Sequence, residues 1–107
     1  MNYESQKVTR TSKSDVTSGD NRYRLSYIVS NNVGEAVNDI TATIHKITTE
    51  TVSGQEVERV ERIGSANVNI TSNRSYLSLD KFAETPSLDR IAISDKFHED
   101  VNSALTE

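Results

Sequence analysis

Hydrophobic and polar positions alternate with a period of two over much of the chain, most clearly in Asn21–Ser30. There Tyr23, Leu25, Tyr27 and Val29 alternate with Arg22, Arg24, Ser26 and Ser30. Successive side chains of an extended backbone point to opposite faces, so this spacing predicts a half-buried strand. Ile28 interrupts the polar face, leaving Tyr27–Ile28–Val29 apolar on both sides. That run calls for cover from the C-terminal helix, a neighbouring sheet or a partner chain. Asp39–Thr48 repeats the alternation, with Ile40, Ala42 and Ile44 on one face and Thr41, Thr43 and His45 on the other. Ile47 falls in the opposite phase, which predicts a bulge or a strand leaving the first sheet. The connection between these two strands is short, so they should pair antiparallel. Ala66, Val68 and Ile70 form a further strand, and Leu77 and Leu79 another, with Tyr76 on its opposite face. A weak edge strand around residues 6–16 precedes them all, following a frayed end.

Two segments read less simply. In Gln55–Ile63, Val57, Val60 and Ile63 recur every three residues, and Ser53–Gly54–Gln55–Glu56 fits a capping box. Ser53–Gly54 also suits a tight hairpin turn, and a nine-residue helix is marginal without a strong apolar face. The strand reading is adopted for 55–63. In the tail, Ile93, Phe97, Val101, Ala104 and Leu105 share one helical face, whereas Leu88, Ile91 and Ala92 fall on the other. One continuous helix from Pro86 would carry two conflicting stripes. The sequence therefore predicts a short strand over Asp89–Ile93, then a helix near 94–105 capped by Ser94.

Composition supports sheet: Val and Ile total 18 against 5 Leu, and 11 Thr add further β-branched side chains. At 107 residues the chain has the length of one domain. Residues 1–18 are expected to be a partly flexible segment with a weak edge strand, and 19–107 a single β-rich domain. The expected fold is mainly β, an antiparallel sandwich or small barrel of six to seven strands with a short C-terminal helix. The alternative is an α+β arrangement in which one antiparallel sheet packs on that helix. Tyr23–Ile44, with its Asn-Asn-x-Gly turn, Ala36 and Asp39-Ile40, resembles a strand pair of immunoglobulin-like repeat domains. The resemblance implies a sandwich, without the Cys and Trp marks of true immunoglobulin domains.

Charge and chemistry narrow the function. Zero cysteines exclude a disulfide framework, thiolate metal sites and a cysteine nucleophile. Two histidines and no Gly-x-Ser-x-Gly elbow or phosphate-cradling glycine loop leave no recognisable catalytic constellation. The expectation is a non-enzyme without cofactor or metal: a protein-protein interaction or assembly module, with a protein partner or self-association. The candidate surface comprises Arg22, Arg24, Ile28, Arg74 and Tyr76. If the strands carrying them share a sheet, those arginines and Tyr76 would also suit nucleic acid or an anionic ligand, the second reading. A net charge of −4 counts against it. No run approaches a membrane span and no leader-like apolar stretch opens the chain, so no membrane partner and a cytoplasmic location are expected.

Overall fold

The computed structural model describes residues 7–106, so the frayed end expected before residue 6 lies outside the described residues. The strands are β1 (Lys7–Ser18), β2 (Asn21–Asn32), β3 (Asp39–Val52), β4 (Gln55–Asn69) and β5 (Arg74–Leu79), followed by one helix, α1 (Ser87–Leu105). All pair antiparallel in sequence order, giving one open five-stranded meander. Short connections favour this order, because a strand leaving a tight turn lies beside the one it has just left. The ambiguous 55–63 segment is strand. Ser53 and Gly54 both have positive φ (52° and 78°), the backbone twist that a two-residue hairpin needs.

Alternation decides which residues make the core. Tyr23, Leu25, Tyr27 and Val29 of β2 meet Ile40, Ala42 and Ile44 of β3, with Ile63 and Ala66 of β4 beside them. Ile93, Phe97 and Val101 of α1 close this inner face. Opposite Ile44 and His45 the register slips: Ile44 pairs with Gly64 and His45 with Arg62, leaving Ile63 unmatched. The bulge expected near Ile47 thus lies on the partner strand, three residues earlier in the ladder. Ile47 itself keeps the alternation, facing outward beside Arg22 and Val60, and is nevertheless buried. Gly64 admits no side chain, since a Cβ there would collide with the Ser78 carbonyl oxygen of β5.

Several expectations need correction. No second sheet and no barrel closure form among the described residues, and the strands number five rather than six to seven. Thr48–Val52 continues β3, and the two strands expected on either side of Gly64–Ser65 are one 15-residue strand. The pair resembling immunoglobulin-like repeats is the β2–β3 hairpin of that single sheet. Asp89–Ile93 is helical, and α1 begins at Ser87 rather than at Ser94. The physical reason is that one helix covers the apolar face that a second sheet would otherwise have to cover. Its buried positions are Asp89, Ile93, Phe97 and Val101, four residues apart, so the inward stripe starts with a carboxylate that hydrophobic periodicity does not register. The conflicting stripe stays outside: Leu88 is 75% and Ile91 54% exposed.

Past Ile47, β3 has no β2 partner, and Thr48–Val52 pairs with Gln55–Arg59 alone. This two-stranded ribbon extends from the rest of the sheet, and with it the molecule measures 58 × 32 × 23 Å. Among the described residues no helix is long and apolar enough to cross a membrane.

Candidate functional site

The five residues singled out in the sequence all lie on the outer sheet face, the one turned away from α1. Arg22, Arg24 and Ile28 project from β2, and Arg74 and Tyr76 from β5. β3 and β4 intervene: Ile28 and Tyr76 share one row of the ladder and stand about 14 Å apart at three strand spacings, while Arg74 is level with Ser30, six and eight residues along β2 from Arg24 and Arg22. The sheet places them on one surface without bringing them together.

The β2 arginines are engaged. Arg24 donates to Asp15 of β1 through Nε at 2.7 Å and Nη2 at 3.1 Å. Glu58, on the ribbon, accepts from Arg22 and from Arg24. The Arg24 hydrogen bonds hold the Asp15 carboxyl below its usual range. Ion pairs this exposed add little stability, but they neutralise the charge a phosphate would have to find free. Ile28 is half-exposed between Thr11 and Thr41. The cover demanded by Tyr27–Ile28–Val29 is therefore supplied on the inner side alone, where Phe97 stacks on Tyr27 at 6.3 Å between ring centroids. Burial, with Arg62 and Arg24 nearby, pushes the His45 pKa down, so this imidazole is neutral at pH 7. Among the described residues no group of three His, Asp or Glu side chains is arranged to hold a metal ion.

On the inner face two tyrosine–aspartate pairs fix α1 to β2. Tyr23 donates from its hydroxyl to Asp89 Oδ2 at 2.5 Å, and Tyr27 to Asp100 Oδ2 at 2.6 Å. Asn21 adds an amide hydrogen bond to Asp89 at 2.9 Å. Hydrogen bonds from Ser18 and Tyr23 hold the buried Asp89 carboxyl below its ordinary pKa. Burial and the adjacent carboxylates push both phenols above theirs. Residues 23 to 27 thus follow 89 to 100 in the same direction, and the helix runs parallel to β2. Sequence reasoning placed Tyr23 and Tyr27 inside but gave them no partners, because hydrogen bonding across more than 60 residues leaves no local signal.

The surface that sequence reasoning missed lies at the opposite flank. Among the described residues β5 pairs with β4 alone, so its other edge carries backbone groups without a ladder partner there. Between that strand and the first half of α1 runs a groove of about 450 Å³, floored by Leu77 and Leu79 and flanked by Phe82, Arg90 and Ile91. Phe82 is 60% exposed, and the Arg90 guanidinium lies 4.0 Å above its ring centroid. The available signal was the second helical stripe, read as an argument against a helix when Ile91 marks an exposed apolar surface. No protein family, curated protein or solved structure matches this chain.

Proposed function

We propose that this protein is a non-catalytic protein–protein docking and assembly module whose contact surface is the free β5 edge with its adjoining groove. One observation carries the reading: an unpaired strand edge runs beside an apolar groove whose flanking residues Phe82 and Ile91 are more than half exposed. An added strand would hydrogen-bond to the β5 backbone while alternate side chains entered the groove, which is how strand addition combines affinity with selectivity. Burying exposed apolar area supplies the driving force. Arg74 and Tyr76, two of the residues singled out in the sequence, belong to this strand and face the outer side of the same contact.

The test uses the purified chain and its Ile91→Glu variant as parallel baits in a lysate of the source organism. Captured proteins are identified by mass spectrometry, remade and titrated. Ile91 is exposed on the helix, so the variant should fold as the parent does. A partner bound at least about tenfold more weakly by the variant, a change of about 1.4 kcal/mol, supports the reading. Identical capture by both baits, or no capture by either together with a strictly monomeric chain, overturns it.

A further inference from the structure

The two edges of the sheet differ in what they can pair with. β1 carries Lys7, Arg10 and Lys13. Antiparallel self-pairing centred on Arg10 would set Lys7 against Lys13 twice on the outer face, like charges that disfavour the contact. β5 has the opposite property. Self-pairing centred on Leu77 sets Ser75 against Leu79, Tyr76 against Ser78 and Arg74 against Asp80. Asp80 continues the line of the strand, because its amide still donates to the Ile63 carbonyl oxygen at 2.7 Å. Arg74 and Asp80 both lie on the outer face: Arg74 pairs with Asn69, and Asp80 reaches Arg62 there at 2.6 Å. Arg74 is exposed and forms no ion pair with any described residue, so its guanidinium is available.

We infer that the occupant of the β5 edge is a second copy of this chain, paired antiparallel about a two-fold axis at Leu77. The inference rests on the docking reading above and names its partner. Each half of the contact then contains one Arg74–Asp80 ion pair on the outer face. On the inner face Leu77 meets Leu77, and the grooves of the two copies face each other, bringing Leu79, Phe82 and Ile91 of both towards one apolar layer. Even spacing about the axis preserves the faces, so both helices lie on the same side of a continuous ten-stranded sheet. Such a contact closes on itself and stops at two copies. A β5-to-β1 contact would leave free edges and propagate.

Sedimentation equilibrium of the full chain, from micromolar to submillimolar concentration, tests this. The expected mass is twice the 11.9 kDa of the chain. Arg74→Asp sets two carboxylates face to face in each half of the contact, and Asp80→Arg sets two guanidinium groups face to face. Each variant alone should dissociate at least about tenfold more readily. An equimolar mixture of the two should recover the dimer, because the mixed pair restores opposite charges in both halves. Circular dichroism of each variant checks that the sheet is intact. A wild-type monomer throughout, a series of masses beyond the dimer, or single variants that dimerise like the parent each overturn the inference. A monomeric wild type that still captures an Ile91-dependent partner defeats only the second copy as occupant, whereas loss of both results defeats the docking reading as well.

Discussion

The two flanks of the sheet are built from similar apolar residues and end differently. Along β2, with Val16 of β1 beside it, the inward side chains meet α1: Tyr23, Leu25 and Phe97 are essentially sealed from solvent, and two tyrosine–aspartate pairs fix the helix at both ends. Along β5, Leu77 and Leu79 are only half-buried, while Phe82 and Ile91 stand in solvent. A single helix about 28 Å long, at 1.5 Å per residue, covers one flank of a five-stranded sheet and not the other. With the docking role proposed above, stability and contact would fall to different sides of the molecule. Substitutions at the covered flank should change folding, and those at the open flank should change association.

The largest expected effect is at Phe97, where alanine should cost about 3–5 kcal/mol by emptying the core beneath Tyr27, measured by urea unfolding. Next is Asp89→Ala, which leaves the Tyr23 hydroxyl without its acceptor and should cost about 1–3 kcal/mol. The same carboxylate gives the fold a pH dependence. Its pKa is lowered in the folded state, so its contribution is full above the unfolded value of about 3.9 and is lost as pH falls through the folded one. Unfolding midpoints measured downward from pH 6 should therefore drop more steeply in the parent than in Asp89→Asn. Tyr27→Phe removes one hydrogen bond, to Asp100, and should cost about 1 kcal/mol in the same urea experiment. Smallest is Ile91→Ala, which should change folding stability by less than about 0.5 kcal/mol while weakening association. A large loss of stability at Ile91, or none at Phe97, would dissolve the contrast between the flanks.

Much of the sheet was legible in the chain. Tyr23–Val29 and Ile40–Ile44 alternate cleanly, because each strand has one wet face and one dry face. The Ser53–Gly54 turn resolved 55–63 towards strand, as its backbone requires. Legibility failed where burial was polar or apolar groups were exposed. Asp89 occupies a core position that its residue type does not announce, and Leu88 and Ile91 are apolar side chains that the fold leaves outside. Both errors moved the helix start to Ser94. Of the candidate surface, strand parity placed Arg22, Arg24 and Ile28 on one face of their strand and Tyr76 opposite Leu77 and Leu79 on its own, and only the single sheet made those faces one surface. The separation of its two halves, and the ion pairs that occupy Arg22 and Arg24, did not follow from parity.

Local sequence determined the strands, their sidedness and the tight turns, because backbone geometry and a two-residue period act between near neighbours. Tertiary structure decided that one sheet would suffice, that Tyr23 and Tyr27 would bond carboxylates more than 60 residues away, and that β5 would keep a bare edge. Those outcomes depend on where a single helix comes to rest, and its resting place is set by the sum of contacts between distant segments.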